Sequence, residues 1–362
     1  MRSFKVYYCR GLRVKVDDIT ILLDPLTSSA VRADLVLVTH AHSDHAKGYL
    51  RSSLRSLVIS SEITKSIVEK VSRKRALNVK IISEGQRISL GKFTVQALNA
   101  GHIMGSLQYL IEFPDLTICY TGDINLVDSL TERRGDIPSG VDVLILESTY
   151  GHEDFVFPPR SEIYSSILSW IEKHTGKGEV VVLGGYALGK GQELTALMKE
   201  IKDKIMVSNK VLLYNKIFEE KKFSLNNYIP LSSPEAKEIL KAGGVIIVPH
   251  IELRKKTPYV LSRILGINKV PKVAVCTGWA ASSRRFFAIK KAYNVDALFP
   301  LSSHADVEQL LSYVDEVRPR IVYTAHGFAK KLAKLIRWKL GIKARKVLDS
   351  RQMSLFKYVK HI

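Results

Sequence analysis

Segment 39–45, with the sequence THAHSDH, holds the densest group of chemically active side chains in the chain. Three histidines and one aspartate stand within six residues, 40–45. Imidazole nitrogens and carboxylate oxygens are the ligands that zinc and related divalent ions prefer. Buried without a metal, each ring nitrogen and the carboxylate would need another partner. The spacing H-x-H-x-D-H therefore predicts that His40 and His42 face one metal ion and that Asp44 and His45 face a second.

The elements around this cluster predict how it is positioned. The apolar run 33–38 (ADLVLV) is typical of a short buried strand, so the cluster lies in the loop that leaves it. Rigid sheets hold such loops in place, which is why α/β folds place their chemistry there. Six more polar side chains each follow an apolar run: Asp24, His102, Asp123, Glu147, His304 and His326. Because the strands of one sheet end at a common edge, we expect these groups to converge.

From about residue 160 the pattern predicts alternating strands and helices. The strand-like run 179–183 leads into GGYALGKG at 184–191, which resembles a phosphate-binding loop of the form G-x-x-x-x-G-K-[ST]. Gly191 stands where the hydroxyl is required, and no companion magnesium carboxylate is evident, so nucleotide hydrolysis is disfavoured. The loop N–H groups and Lys190 are predicted instead to contact a substrate phosphate.

Two aromatic side chains in this region have a structural interpretation. Trp279 follows a strand-like run and a glycine, and is interpreted as an aromatic ring packed on a turn. His250 follows the apolar run VIIVP; with His152, His174 and His361 it is given no functional role, although its position at a strand end makes it the hardest of the four to dismiss.

The charge balance indicates a polyanionic partner. Lysine and arginine number 55 against 35 aspartates and glutamates, a net charge of +20. A field of this sign attracts nucleic acid and speeds the encounter. The alternative, a solvated surface of a thermophilic protein, explains many charges but not their imbalance. The basic clusters lie at 70–75, 254–256, 284–285, 290–291 and 330–346.

Length and composition are those of a globular protein with more than one domain. The chain has 362 residues, of which 46% are apolar, and no apolar run approaches the length of a membrane span. The first residues lack a signal-peptide core, so a cytoplasmic location is expected. Cys9, Cys119 and Cys276 do not indicate a disulfide framework, and the last two are expected to be buried.

Seven short motifs together resemble a known family. THAHSDH, with LLDP before it and NAGH and TGD after it, resembles the metallo-β-lactamase superfamily. Three further motifs, ESTYG, SSHAD and YTAHG, are similar to motifs of its β-CASP branch. That branch includes the nuclease subunit of the mRNA cleavage and polyadenylation machinery, ribonuclease J, Artemis-type DNA repair nucleases, and short prokaryotic exonucleases found beside DNA ligases. The resemblance extends from Asp24 to His326.

The resemblance implies an α/β fold in two domains. A four-layer αββα metallo-β-lactamase domain would be made from both ends of the chain, 1–155 and 300–362. An inserted α/β β-CASP domain would occupy 156–299 and, being basic, would hold the polyanionic strand over the metals.

The resemblance also implies two Zn²⁺ ions, with Mn²⁺ as an alternative. One zinc would be held by four side chains, His40, His42, His102 and Asp123. The other would be held by Asp44, His45, His326 and the bridging Asp123.

The same resemblance assigns further roles. Asp24 would orient a ligand histidine. His304, paired with Glu147, would be the general acid, since a carboxylate favours the imidazolium that can protonate a departing alkoxide. Asp44, His304, Glu147 and Asp24 thus form the predicted catalytic set. The predicted substrate-binding residues are Lys190, Arg284 and Arg285.

The predicted function is a zinc-dependent nuclease that hydrolyses the phosphodiester bonds of RNA, single-stranded DNA or both. His326 in the last motif is typical of RNA-acting members, although the ligase-associated relatives carry histidine there too. One alternative is a hydrolase of small esters or thioesters, against which the inserted domain and the net charge argue. Another is a non-catalytic binding protein, but such relatives lack ligands and none is missing here. Polarity, end chemistry and the choice between exonuclease and endonuclease action stay open.

Overall fold

The chain divides into two compact units. The computed structural model describes residues 2–27, 32–201, 205–225, 228–253, 258–267 and 270–349. The first unit comprises Met1–Leu126, Arg134–His152 and His304–Ile362, and the second comprises Val127–Arg133 and Glu153–Ser303. Assignment of the second unit as a β-CASP domain over 156–299 stays a prediction. The basic cluster 254–256 lies outside the described residues.

Strands and helices alternate along much of the described chain. The strands are β1 (Phe4–Tyr8), β2 (Gly11–Val16), β3 (Ile19–Pro25), β4 (Leu35–Leu37), β5 (Leu57–Ser60), β6 (Val79–Ile81), β7 (Arg87–Ser89), β8 (Thr94–Asn99), β9 (Leu107–Phe113), β10 (Leu116–Tyr120), β11 (Val143–Glu147), β12 (Val180–Gly185), β13 (Ile205–Val207), β14 (Tyr228–Pro230), β15 (Gly244–Pro249), β16 (Lys272–Cys276), β17 (Ala297–Phe299), β18 (Ile321–Ala325), β19 (Ala344–Lys346) and β20 (Leu348–Asp349).

The helices range in length from four to sixteen residues. They are α1 (Ser43–Ala46), α2 (Tyr49–Ser52), α3 (Glu62–Ser72), α4 (Arg160–Thr175), α5 (Lys190–Leu197), α6 (Asn209–Glu220), α7 (Pro234–Ala242), α8 (His250–Leu253), α9 (Pro258–Leu265), α10 (Ser283–Tyr293), α11 (Val307–Val317) and α12 (Ala329–Leu340), with 3-10 turns at Met198–Glu200 and Gly278–Ala281. Among the described residues, none of these helices is long and apolar enough to cross a membrane.

Two sheets face each other in the first unit. The first has the order β20-β1-β2-β3-β4-β5-β6, and the second β19-β18-β11-β10-β9-β8-β7. Side chains alternate across each strand, so one face of each sheet points inward. Leu23 and Leu37 from the first sheet meet Tyr109, Ile118 and Ile145 from the second in one buried cluster. This inter-sheet core fixes the strand register on both sides.

Helices cover the outer faces of both sheets. Leu22 and Val58 point outward from the first sheet and are buried with Tyr49 of α2. Leu144 of the second sheet is buried with Leu310 of α11 and with α12. The layers are therefore helix, sheet, sheet and helix, and the predicted four-layer αββα fold class is confirmed.

The second unit is built on a parallel sheet with the order β14-β13-β15-β12-β16-β17. The run 180–183 (VVVL) is buried along its whole length, as expected for a strand covered on both faces. Val181 packs into a cluster with α4, α5 and α6, whereas Val182 packs into another with α7 and α10. Cys276 is buried in the first of these clusters, and Cys119 is buried in the first unit, as the sequence predicted.

Candidate metal centre

The histidine cluster leaves β4 and begins the short helix α1. His42 is the residue before the helix, and its carbonyl accepts from the N–H groups of His45 at 3.0 Å and Ala46 at 2.8 Å. This single turn brings His45 to the buried side, while Asp44 stays exposed. His40, directly after the strand, is completely buried. The local backbone therefore aims the three rings from one loop towards the same edge of the sheet.

Four side chains converge with the spacing of a metal site. His42 Nδ1 lies 3.1 Å from His40 Nε2 and 3.1 Å from His102 Nε2, and Asp123 Oδ2 lies 3.5 Å from His40 Nε2 and 3.7 Å from His102 Nε2. Ligand atoms about 2.1 Å from a tetrahedral zinc lie roughly 3.4 Å from one another. The donor set and its spacing therefore fit a divalent cation at this point, in a group whose ligand atoms all lie within 4.8 Å of one another.

A second group forms around His45 and shares Asp123. His45 Nε2 lies 3.3 Å from Asp123 Oδ2, and the His326 ring lies 5.4 Å from the His45 ring between centroids. His326 Nε2 is buried and has no hydrogen-bond partner in the part of the chain described. A buried ring nitrogen in that state is explained by a ligand. Asp44 lies at the rim, with its side chain 77% exposed and Oδ2 4.0 Å from His45 Nε2.

Asp24 holds this second group in position. Its Oδ2 lies 2.7 Å from His45 Nδ1 and accepts from the hydroxyls of Tyr120 and Thr39, each at 2.7 Å. Its Oδ1 accepts from the Thr39 N–H at 2.8 Å. With Nδ1–H donating to Asp24, the neutral His45 ring has its lone pair on Nε2, facing Asp123. Asp24 and His326 both have left-handed backbone, with φ of 45° and 62°, which is uncommon outside functional or strained positions.

Thr39 and Tyr120 have functions that the sequence did not reveal. Both are completely or almost completely buried, and both donate to Asp24. The signal was present in their positions, since each stands directly before a predicted ligand-bearing motif. A polar side chain at the end of a buried strand needs a partner, and here that partner is the carboxylate.

Glu147 and His304 form a pair beside Asp123. His304 Nδ1 lies 3.1 Å from Glu147 Oε2 and 3.9 Å from Asp123 Oδ2. Glu147 Oε1 also accepts from the Ile124 N–H at 2.6 Å. Burial raises the pKa of Glu147, but the His304 ring and these hydrogen bonds outweigh it and lower that pKa overall. Glu147 therefore stays ionised and favours a protonated imidazole opposite it.

Burial and neighbouring charges together set the protonation of the histidines in the two groups. Burial lowers the pKa of His45, but Asp123 and the other nearby carboxylates outweigh it and raise that pKa to about 10, whereas burial dominates at two other rings. Burial lowers the pKa of His326 to about 4 and, with the neighbouring imidazoles, lowers the pKa of His40 well below its ordinary value. Neutral imidazole is the form that binds metal, so both rings are ready at neutral pH. Burial also raises the pKa of Asp123 to about 6, although His45 and His304 oppose that rise. This carboxylate sits where a positive charge would stabilise its ionised form.

The predicted substrate-binding residues lie in the second unit. Arg284 and Arg285 are exposed on α10. Lys190, by contrast, is only 4% exposed, and its Nζ lies 5.1 Å from the centroid of the Tyr186 ring. Burial lowers its pKa to about 8, partly offset by Glu193. The amine therefore faces an aromatic ring and a buried carboxylate rather than bulk solvent.

Two protein-family models match the chain. Residues 20–176 match the model described as "Beta-lactamase superfamily domain", and residues 293–346 match "Zn-dependent metallo-hydrolase RNA specificity domain". The chain is also similar to a solved structure described as a protein of unknown function from Enterococcus faecalis V583. That likeness has a TM-score of 0.65 and 13% identity, and covers 97% of this chain and 99% of that one, so it concerns the fold alone.

Curated relatives include both ligases and ribonucleases. "Probable DNA ligase" of Opitutus terrae is 28% identical over 88% of this chain, which spans only 29% of that protein. "Probable RNase MJ4" of Methanocaldococcus jannaschii is 23% identical over 91% of this chain and 92% of its own length. "RNase aCSPSF2" of Saccharolobus solfataricus is 24% identical over 91% of this chain and 77% of its own length.

Proposed function

The chain belongs to the β-CASP nuclease branch of the metallo-β-lactamase superfamily, and from that premise we propose that it is a zinc-dependent nuclease that hydrolyses phosphodiester bonds of RNA. One observation carries the proposal. Two groups of potential ligands share Asp123, and the Glu147–His304 pair lies beside that same carboxylate. A metal centre with an adjacent acid is what in-line phosphodiester hydrolysis requires.

We assign the two cations to the two ligand groups. The first would be held by four side chains, His40, His42, His102 and Asp123. The second would be held by His45, His326, Asp44 and the shared Asp123. A pair of divalent cations, when bound, stabilises charge developing on the phosphoryl oxygens and lowers the pKa of the attacking water. Zinc suits the nitrogen-rich first group, and Mn²⁺ is an alternative.

The protein's own groups supply orientation and a proton. Asp24 accepts from His45 Nδ1 and so keeps Nε2 aimed at the shared carboxylate. Since His304 Nδ1 faces Glu147, the proton on Nε2 is the one delivered to the departing oxygen. Glu147 keeps the ring oriented and favours its charged form before that transfer. The Asp44 carboxylate, at the exposed rim, would be the remaining ligand of the second group.

RNA is the preferred substrate class for two reasons. The model matching residues 293–346 carries an RNA-specificity description, and two relatives covered along most of their length are named ribonucleases. Single-stranded DNA is the second candidate, because the ligase relative from Opitutus terrae matches 88% of this chain. Small esters are less well supported, since a net charge of +20 suits a polyanion.

The metal dependence is tested with Asp123→Asn, because this residue belongs to both ligand groups. We expect bound metal to fall and RNA hydrolysis to drop roughly 10³-fold, reflecting several kcal/mol of lost transition-state stabilisation. Asp18→Asn is the control, since that carboxylate is 73% exposed and forms an ion pair with Lys92 at the surface. Elemental analysis and a labelled-RNA assay measure both quantities. Cleavage at the wild-type rate by metal-depleted Asp123→Asn would refute the proposal.

The substrate class is tested with a panel of linear and circular strands. RNA and single-stranded DNA carrying 5′-phosphate, 5′-hydroxyl or no end are incubated with the metal-loaded protein. We expect RNA to be cleaved faster than DNA, and circular substrates report endonuclease action directly. Faster cleavage of DNA would indicate that single-stranded DNA, rather than RNA, is the substrate. Hydrolysis of p-nitrophenyl esters without any nuclease activity would support the ester-hydrolase alternative.

A further inference from the structure

The second unit contains a cavity of about 240 Å³ that is separate from the metal centre's ligands. It lies at the carboxyl ends of three adjacent parallel strands, β15, β12 and β16. The chain leaves β12 towards β13 on one side and leaves β15 towards β16 on the other. The connections therefore diverge here, and open α/β sheets bind ligands in the crevice at such a switch point.

Aromatic rings form much of the cavity wall. The Trp279 ring is held from behind by Phe155, with ring centroids 5.3 Å apart at 83°, and the Trp279 backbone N–H donates to Thr277 Oγ1 at 3.4 Å. Tyr186, on the loop after β12, is 47% exposed. Tyr293, at the end of α10, also lines the space. The Trp279 platform is thus fixed in place, which reduces the entropy lost when a flat ligand stacks there.

A histidine supplies a directed polar group among these rings. His250 Nδ1 lies 3.2 Å from the Gly185 carbonyl, and its ring is 4.4 Å from Tyr186 and 6.0 Å from Tyr293 between centroids. With Nδ1 donating to that carbonyl, Nε2 is the acceptor of the neutral ring. Burial lowers the pKa of His250, so this neutral form persists at pH 7.

One cation lines the cavity beside the aromatic rings. Arg285 Cζ lies 4.4 Å from the Trp279 centroid, whereas Lys190 is buried and does not line the space. Val275 and Ile289 add aliphatic surface to the lining. The interior therefore suits a flat, apolar-faced group with polar edges, and Arg285 suits an anion attached to it.

We propose that this cavity binds a nucleobase, stacked against Trp279 and Tyr186 with a polar edge towards His250. Base–aromatic stacking tolerates every base, and Arg285 would attract the attached phosphate. The inference rests on the proposed nuclease function, because the bound base is assumed to belong to a substrate strand. A free mononucleotide offers the same ring, and the two sources are separated experimentally.

Binding is measured by the fluorescence of Trp279 in the full-length, metal-loaded protein. Trp170→Phe and Trp338→Phe leave Trp279 as the single tryptophan, because the chain has three. The probes are a short single-stranded RNA, the same backbone with abasic sites, AMP, UMP and ribose 5-phosphate. We expect quenching by the RNA and little by the abasic strand. Quenching by AMP or UMP at comparable concentrations assigns the site to free nucleotides, whereas equal responses to RNA and abasic strand overturn the proposal.

The contribution to catalysis is measured with Trp279→Leu. We expect the KM for RNA to rise about 5- to 150-fold, the range for loss of one stacked base. Hydrolysis of bis(p-nitrophenyl) phosphate, which has no base to stack, should be unchanged. Phe287→Ala is the matched control, since that ring is 75% exposed on α10 and does not line the cavity. An unchanged KM for Trp279→Leu overturns the inference, whereas absence of all phosphodiesterase activity in the wild type counts against the proposed function alone.

Discussion

Asp24 shows how one side chain organises several ligands. It accepts hydrogen bonds from Thr39, His45 and Tyr120, and it does so from a left-handed backbone position directly before a proline. Both carboxylate oxygens are therefore saturated with donors. A group of this kind acts through the ligand that it orients rather than through the substrate.

Under the proposed two-cation assignment, replacing Asp24 by asparagine should weaken metal binding at the second group, which contains His45, more than at the first group. The amide would not match the donors now facing both oxygens, so His45 would lose its fixed tautomer. We expect metal affinity to fall about 10- to 100-fold at one of the two sites, measured by competition with a zinc-chelating dye. Asp115→Asn, an exposed carboxylate paired with Arg2, serves as the control. Equal affinities in the Asp24 variant and the wild type would contradict the orienting role.

The acid role of His304 predicts a dependence on the leaving group. His304→Ala should lower kcat for RNA about 10²- to 10⁴-fold, because the departing ribose oxygen needs a proton. It should lower the rate for bis(p-nitrophenyl) phosphate far less, because nitrophenolate leaves without one. Metal content should not change. A similar loss on both substrates would indicate a structural effect instead.

The lowered pKa of Lys190 implies that the free energy of unfolding depends on pH. Its pKa is lowered to about 8 in the folded protein, so between pH 8 and its ordinary value the unfolded chain binds more protons. Its unfavourable contribution is therefore fully present below pH 8 and disappears as the pH rises through that window. Lys190→Met should be more stable than the wild type. Its gain in unfolding free energy should be about 3 kcal/mol larger at pH 7 than at pH 10.5, measured by urea denaturation. A pH-independent difference would show that the amine titrates normally.

At the scale of elements, the turn after β18 decides where His326 lies. Gly327 has φ +37°, and a Cβ there would stand 2.3 Å from the Ser148 carbonyl oxygen and 2.5 Å from Thr149 Cα. Ser148 Oγ also donates to the His326 carbonyl at 2.8 Å. The loops after β11 and β18 are therefore packed backbone against backbone, and neither can move without displacing His326.

Gly327→Ala should be far more costly than another substitution at positive φ. Gly91 also has positive φ, but a Cβ there meets nothing within 4 Å. We expect Gly91→Ala to cost about 1 kcal/mol of unfolding free energy from backbone strain alone. Gly327→Ala should lower the unfolding free energy by about 3 kcal/mol or more, since strain and overpacking add. It should also weaken metal binding at the group that contains His326. Similar melting temperatures for the two variants would contradict this comparison.

At the scale of the whole molecule, the excess of positive charge should govern nucleic-acid affinity. With a net charge of +20, binding of a strand releases the counterions condensed on its phosphates. For about six phosphate contacts, affinity for single-stranded RNA should fall roughly 10²- to 10³-fold between about 50 and 200 mM salt. Fluorescence anisotropy with labelled RNA measures the slope. Affinity that is independent of salt would exclude the electrostatic mode of binding.

Much of the fold and of the metal centre could be predicted from the order of residues. Ligand-type side chains follow apolar runs, and strand ends of one sheet share an edge, so their convergence follows from local pattern alone. The structure brings together His40, His42, His102 and Asp123, and Glu147 and His304 lie beside the same Asp123. Their roles as metal ligands and as an acid pair stay predictions. The four-layer fold class was likewise predictable, because the motifs that carry the resemblance are spread over most of the chain.

What only the tertiary structure decided concerns residues that are distant in sequence. The donors to Asp24, the burial of Lys190 and the cavity between Tyr186, His250 and Trp279 all depend on which strands are neighbours. Hydrophobic periodicity identifies a strand and its buried faces but contains no information about strand order, here β14-β13-β15-β12-β16-β17. The sequence by itself therefore determined which chemistry the chain carries. Long-range packing decided which of these side chains come together in one site.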